Sequence, residues 1–253
     1  MSLSSTSGVL NAAVTRRGGV SPPPWASLNV GATVGDDLQR VIENRRRTFQ
    51  ALDRPLDSLY DVWQVHGAEV VCASAPRPLH QPHLKADAIL TDRPEVTLFM
   101  RFADCVPIFL CDPVRRVVGL VHAGWLGTIR KSAQSAVREM ESGYGSRPSD
   151  VLAAIGPSIC QEHYLVGPEV EAQVRHAFGE AADLFLSRSD SDELNSGVKF
   201  DLWSANRLVL EEAGVRQIEC ANICTACHLD DWYSHRGERG STGRFGAMIC
   251  LQP

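Results

Sequence analysis

No stretch of this 253-residue sequence approaches the ~18 consecutive apolar residues of a membrane span, so a membrane-embedded function is not expected. The opening residues MSLSSTSGVLNAAVTRRGG lack the charged-then-apolar layout of a secretory leader, and the expectation is a cytoplasmic protein. Positive charge is not in excess: 25 Lys and Arg against 30 Asp and Glu give a net charge of −5, which supplies no electrostatic pull on nucleic acid. The one basic cluster, Arg45-Arg46-Arg47, falls within a helical pattern and reads as a solvated helix face rather than a phosphate patch. Internal repeats, low-complexity tracts, a dividing linker and a heptad pattern are all missing, which favours a single domain and a monomer.

The composition that remains, 44% hydrophobic and 22% charged, is that of a globular chain long enough to bury a sizeable core. Eight cysteines without a leader read as reduced thiols. Cys72, Cys111 and Cys250 lie in apolar strands and read as small core residues. Asp36 is the expected N-cap of a helix running to about Leu52, with Leu38, Val41, Ile42, Arg45 and Phe49 at helical spacing. Further helices are expected over Thr128–Ser142, Pro168–Phe178 and Leu202–Ala213. Strands are expected over Tyr60–Val65, Glu69–Cys72, Ala88–Leu90, Thr97–Phe102, Pro107–Cys111 and Val117–His122, then near Val151–Ile155, Gln217–Ile223 and Gly246–Leu251. The polar stretch Ala181–Gly197 reads as a surface loop in which Leu184-Phe185-Leu186 packs inward. Hairpin-length links between residues 60 and 122 favour an α/β (mixed α+β) fold, a mixed sheet covered by helices, over a strictly parallel wound sheet. Residues 1–20 are expected to be a tail and first strand, and 21–253 a single catalytic domain.

Three residues at strand ends carry metal-ligand chemistry. His66 closes DVWQV before Gly67, Cys105 follows LFMRFAD and precedes Pro107, and His122 ends VVGLV before Ala-Gly-Trp. Imidazole and thiolate suit zinc, and three protein ligands leave a fourth position for water or substrate. The same donors suit copper. Spacing alone does not decide between ligands and satisfied polar residues in turns. Cys105 and His122 meet only if the strand order joins their ends.

The runs Gln64-Val65-His66-Gly67, Ala86-Asp87-Ala88-Ile89, Ala103-Asp104-Cys105-Val106-Pro107 and His122-Ala123-Gly124-Trp125-Leu126-Gly127 together resemble the YfiH-type laccase-domain family. Ile155-Gly156-Pro157-Ser158-Ile159, Cys224-Thr225, Ser234-His235-Arg236 and Thr242-Gly243-Arg244 extend that resemblance, in one order, over about residues 25 to 250. The resemblance implies a mixed α/β sandwich, likened also to cysteine hydrolases and cytotoxic necrotizing factors. It implies a purine nucleoside phosphorylase acting on adenosine, inosine and 5′-methylthioadenosine, with adenosine deaminase activity. The metal would be carried by His66, Cys105 and His122. The older laccase label suggests copper-dependent phenol oxidation. Multicopper sites need clustered histidines, however, and none of the eight here forms a His-x-His pair. No methionine follows His122 closely as a blue-copper ligand would, so zinc is preferred and copper is the alternative.

The remaining roles are read from residue chemistry. Deamination needs a carboxylate to move a proton, and Asp104, with Asp87 and Asp92 as substitutes, is the candidate. Phosphorolysis needs an anion cradle, which the turn from His122 through Gly124 and Gly127 into a helix would offer; glycines demanded by a tight turn explain it equally well. Arg236 and Arg244 are candidate clamps for phosphate or ribose oxygens, and Asn29 is a candidate substrate contact or a turn residue. The usual zinc-deaminase signature is missing.

Competing readings use other residues or no metal. Cys224-Thr225-Ala226-Cys227-His228 fits the c-type haem pattern or half of a zinc motif, but no leader and no second C-x-x-C accompany it. Cys105 with His122 as its base would make a metal-free cysteine hydrolase or amidase, a design that leaves His66 unexplained. A closed fourth ligand from Cys160 or His163 would instead make an inert metal-binding protein.

Overall fold

The computed structural model describes residues 3, 6–78, 80–188 and 197–252. Two mixed sheets pack face to face, with helices on their outer sides. The smaller contains β1 (Val9–Ala13), β13 (Phe245–Leu251), β5 (Thr97–Phe102) and β2 (Leu59–Tyr60), in that order. The larger has the order β12 (Gln217–Cys220), β8 (Leu152–Ile155), β6 (Val106–Asp112), β7 (Val117–Ala123), β4 (Ala88–Thr91), β3 (Val70–Cys72). A third sheet joins the short strands β9 (Leu165–Val166), β10 (Leu186–Arg188) and β11 (Val198–Phe200).

The two-residue alternation of side chains assigns each layer. Leu98, Met100 and Phe102 of β5 and Phe245, Ala247 and Ile249 of β13 point between the sheets, where they meet Ile89, Phe109, Cys111, Val118 and Leu120 of the larger sheet. The opposite parity of β6 and β7, including Val106, Ile108, Leu110 and Val121, packs under α3 (Ser132–Tyr144) and α5 (Leu202–Glu212) through Ala133, Ala136, Val137, Ala205 and Val209. On the far side, Phe99 and Met248 pack with Phe49 of α1 (Leu38–Ala51). The result is a helix–sheet–sheet–helix sandwich, the mixed α/β class expected.

Several boundaries differ from expectation for identifiable reasons. The N-cap of α1 is Asp37, whose carboxylate accepts the Arg40 N–H; Asp36 instead accepts from Ser21 and Asn29. Arg46 and Arg47 of that helix pair with Glu43 on the solvent side, as expected. Arg45 does not share that face: it is largely buried, donates to the Val30 carbonyl and lies 3.9 Å from Asp61. The helix expected over Thr128–Ser142 is two, α2 (Trp125–Ile129) and α3, because Lys131 adopts a left-handed conformation between them. Of the strand expected over Tyr60–Val65, only Tyr60 pairs regularly, as the second residue of β2, and Trp63 makes an isolated bridge with Lys85. Cys111 and Cys250 are buried as expected, whereas Cys72 is exposed beside Glu139. Phe185 and Leu186 pack inward while Leu184 stays 73% exposed. Residues 189–196 of the expected loop lie outside the described residues.

β6 and β7 form an antiparallel hairpin in which Val106 faces Ala123 and Pro107 faces His122. The start of one strand and the end of the other are therefore neighbours, and Cys105 comes to lie beside His122.

Candidate metal centre

His122 shares the parity of Val118 and Leu120, so its ring points into the space between the sheets. There it lies 5.5 Å from the ring of Phe102 and 4.9 Å from that of His66. Cys105, half-buried, directs its Sγ to within 3.9 Å of His66 Nε2. The donor atoms of His66, Cys105 and His122 all lie within 4.8 Å of one another. Tetrahedral zinc with bonds near 2.1 and 2.3 Å separates nitrogen and sulfur ligands by about 3.6 Å, so small side-chain rotations suffice for all three to bind one ion.

Asp87 builds the rest of the site. It lies one residue before β4 and is fully buried. Its carboxylate accepts the backbone N–H groups of Val65, His66 and Gly67 at 3.1, 3.0 and 2.6 Å. It also accepts from His122 Nδ1 at 2.8 Å. One anion thus holds the turn that bears His66, itself in a left-handed conformation at φ 58°, and orients the imidazole of His122. Carboxylate behind histidine is the usual support for a metal-binding imidazole, since it fixes the tautomer and raises the basicity of the other nitrogen. Burial would raise the Asp87 carboxyl, but the hydrogen bonds from His122 and Gly67 hold it below its ordinary value.

The same geometry polarises the metal-free site. Burial would push the Cys105 thiol up, yet the charge of His122 and hydrogen bonds from both histidines bring it down to about 6. Burial would lower His122, but the facing Cys105 and the Asp87 carboxylate raise it to about 9. A thiolate and an imidazolium therefore face one another; Cys105 is in the form that binds metal, whereas His122 must release its proton to do so.

The remaining candidates divide between contact and support. Asp104 adopts φ 81° and its side chain is buried. It accepts from Thr225 Oγ1, Ser234 Oγ and the Arg236 N–H at 2.7, 2.6 and 2.6 Å. That carboxylate ties two loops together behind Cys105. Asp87, read as its substitute, is committed to His66 and His122 in the same way. Asp92 lies at the opposite end of β4, exposed and paired with Arg93.

Asn29 is fully buried; it donates to Gly31 O and Asp36 and accepts from the N–H groups of Gly31 and Arg244, the contacts of a turn residue. Gly124 earns its place sterically: a Cβ there would fall 2.8 Å from Cys105 Sγ and 3.1 Å from His66 Cδ2. A Cβ at Gly127 would fall 3.2 Å from the His122 carbonyl oxygen. Gly124 caps the five-residue helix α2 and Gly127 lies within it, so close approach of Cys105 and His66 accounts for Gly124, and close approach of the His122 and Gly67 backbone for Gly127.

Arg244 is half-buried; burial lowers its pKa while Cys105 and Asp104 favour its charge, and its Nη1 donates to Gly243 O at 2.8 Å. Arg236 is exposed, donates to Leu165 O at 2.7 Å and lies over the ring of Tyr164 at 5.1 Å. Two neighbours were missed in the sequence: Tyr164, whose phenol is pushed up by burial and then by Cys105, and Arg130, which donates to the His66 carbonyl at 3.0 Å. Neither sits in a motif, so only the fold reveals them. Cys160 and His163 do not complete the first cluster; they gather with Cys224 and Cys227 in a separate one, which does not include His228. Among the described residues, no helix is long and apolar enough to cross a membrane.

Sandwich and cluster together give an α/β protein in which His66, Cys105 and His122 could hold a metal ion. The chain belongs to the family described as multi-copper polyphenol oxidoreductase laccase, whose profile matches residues 11–252. It is 40% identical over 243 residues to a protein of Deinococcus radiodurans named purine nucleoside phosphorylase, covering 96% of this chain and 89% of that one. It is 35% identical to purine nucleoside phosphorylase YlmD of Bacillus subtilis, covering 94% and 87%. The crystal structure of YlmD from Geobacillus stearothermophilus superposes with a TM-score of 0.90 at 36% identity, covering 98% of this chain and 93% of that one. The Bacillus licheniformis protein YfiH superposes at 0.89, also at 36% identity, covering 96% and 93%. These relatives place the chain in the YfiH-type family.

Proposed function

We propose that the chain is a zinc-dependent purine nucleoside phosphorylase acting on adenosine, inosine and 5′-methylthioadenosine, with adenosine deaminase activity at the same centre. The observation that carries this reading is the convergence of His66, Cys105 and His122 with Asp87 behind them, in a chain whose relatives are named purine nucleoside phosphorylase. The donor set fits zinc: two imidazoles and one thiolate, with the histidine of lowest exposure braced by a carboxylate and one position left for a non-protein ligand. A zinc ion held there supplies a Lewis acid beside the reacting groups. Copper fits the donors too, but the described residues gather only two metal-ligand groups, and neither is the multi-histidine cluster of a multicopper oxidase.

In phosphorolysis a phosphate oxygen bonds to C1′ as the bond from C1′ to the base breaks, and the base leaves with a proton. Phosphate binding is assigned to the guanidinium groups of Arg236, on the loop braced by Asp104, and of Arg244, whose backbone N–H is held by Asn29. Deamination adds water at C6 of adenosine and expels ammonia. Asp87 and Asp104 act as positioning residues in both reactions, one for the metal ligands and one for the loops.

One observation favours a second reading. Cys105, His122 and Asp87 stand in line as thiolate, imidazole and carboxylate, the order of a cysteine hydrolase. Adenosine incubated with and without phosphate separates the two. Phosphate-dependent release of adenine supports the phosphorylase, inosine reports deamination, and turnover that survives complete loss of metal sinks the zinc reading in favour of the thiol enzyme.

A further inference from the structure

Outside that centre, a second group of side chains converges that the proposed reaction does not use. β8 and β12 are neighbouring parallel strands, so the loops leaving their C-terminal ends run side by side. They are stitched by an isolated bridge between Ser158 and Cys224. Ser158 N–H donates to Ile223 O, and Thr225 N–H to Ser158 O, both at 3.1 Å. Each loop carries a short turn with a metal-type donor at either end, Cys160-Gln161-Glu162-His163 on one and Cys224-Thr225-Ala226-Cys227 on the other. The half motif C-x-x-C thus finds its partner in a C-x-x-H that the topology brings to it. All four donor atoms lie within 4.8 Å of one another.

The sulfurs of Cys160, Cys227 and Cys224 lie 3.3, 3.5 and 3.9 Å from one atom, His163 Nδ1. Hydrogen bonding does not explain that arrangement, because a ring nitrogen has either one lone pair or one proton and serves one thiol. Tetrahedral zinc separates its sulfur and nitrogen ligands by about 3.6 Å, which the three distances straddle. We propose that Cys160, His163, Cys224 and Cys227 form a second zinc site, closed by four protein ligands and structural in role.

Thiolate-rich donors select zinc over hard cations such as magnesium and calcium. Binding releases the thiol protons to solvent and moves no electrons. The Cys160 N–H donates to Cys224 Sγ at 3.3 Å, the support a ligand thiolate receives from backbone. The site also connects to the first centre. Thr225, inside the C-x-x-C turn, donates to Asp104 Oδ1, and Ile159, next to Cys160, donates its N–H to Asp104 O at 3.0 Å. Zinc here would clamp the loops that brace the residue preceding Cys105.

The test is metal binding and thiol protection on the whole chain, reduced and stripped with chelator, then titrated with Zn²⁺ alone or with Co²⁺ as a spectroscopic substitute. Cys105→Ser removes the one thiolate of the first centre, so any thiolate-to-cobalt charge-transfer absorption it retains arises from the second. That variant is expected to keep the absorption, and adding Cys227→Ala to abolish it. In the unsubstituted chain, Zn²⁺ should slow iodoacetamide labelling of Cys160 and Cys227 roughly tenfold or more. A Cys105→Ser protein that is folded by circular dichroism but shows no thiolate–cobalt absorption overturns the site. Equal labelling of Cys160 and Cys227 with and without Zn²⁺ overturns it as well, independently of any variant and of whether the first centre turns over nucleosides.

Discussion

Asp87 Oδ1 lies 2.8 Å from His122 Nδ1, and the same carboxylate receives the N–H of His66 at 3.0 Å. One buried anion therefore positions two ligands that are 56 residues apart in sequence, one through its side chain and one through its backbone. Asp87→Asn keeps the size but places an amide where four donors converge. The variant should remain folded by circular dichroism and bind zinc about 10–100-fold more weakly, the usual cost of losing such a partner. Competition titration with a chromophoric chelator measures it, and an unchanged zinc affinity would show that Asp87 serves the turn alone.

The pairing of Cys105 with His122 makes the metal-free protein sensitive to pH. Cys105 is lowered to about 6, so its share of the pair's stability is lost as pH falls through that value. His122 is raised to about 9, so its share is lost as pH rises through that value. The difference in thermal midpoint between metal-free protein and its Cys105→Ser variant should accordingly be greatest between these limits. Cys105 labelling by iodoacetamide should rise through about pH 6 rather than near 9. A labelling midpoint near 9 would remove the thiolate–imidazolium pair.

How much of this was legible beforehand follows from what kind of interaction fixes each part. The strands β5 to β7 carry continuous apolar runs, and they appear within a residue of where periodicity puts them. The three candidate ligands were legible through the resemblance of the ordered motifs around them, not through spacing. The helix break at Lys131 carries no glycine or proline, and its left-handed turn is a product of packing α2 and α3 on one sheet. The division of labour among aspartates was equally hidden. Asp87 and Asp104 both follow an alanine in similar motifs, and only the hydrogen bonds show one bracing ligands and the other bracing loops. Likewise, the pairing of C-x-x-H with C-x-x-C depends on β8 lying parallel to β12, a contact between segments about 60 residues apart.

A second buried aspartate governs stability rather than the site. Asp61 is fully buried, and Arg77, Arg101 and His83 reach it at 2.6, 3.1 and 3.1 Å, with Arg45 at 3.9 Å. Burial would raise its carboxyl, but these partners hold it far below the usual range. Asp61→Asn would leave Arg77 and its neighbours without their counter-charge and should cost about 3–5 kcal/mol, the penalty of breaking a buried ion pair from one side. Urea unfolding gives the value directly. A loss under 1 kcal/mol would mean that water reaches the arginines and screens them.

Gly124 supplies the sharpest steric test of the first centre. It precedes α2 with φ −74°, a backbone conformation open to any residue, so alanine there introduces no torsional strain. What alanine adds is a methyl 2.8 Å from Cys105 Sγ and 3.1 Å from His66 Cδ2, between two of the three ligands. Overpacking of this kind costs about 1–3 kcal/mol, and here the least anchored neighbour, the exposed His66 ring, should yield first. Gly124→Ala should therefore lower the unfolding midpoint of the metal-free form only modestly and lose roughly tenfold or more in zinc affinity. The complementary substitution, Gly143→Ala in the exposed last turn of α3, meets only the flexible Glu139 carboxylate at 3.0 Å and should leave metal binding untouched. Equal zinc affinities for the two variants would mean that the turn from His122 into α2 moves freely, and that the glycine there is needed for the chain's path rather than for the ligands.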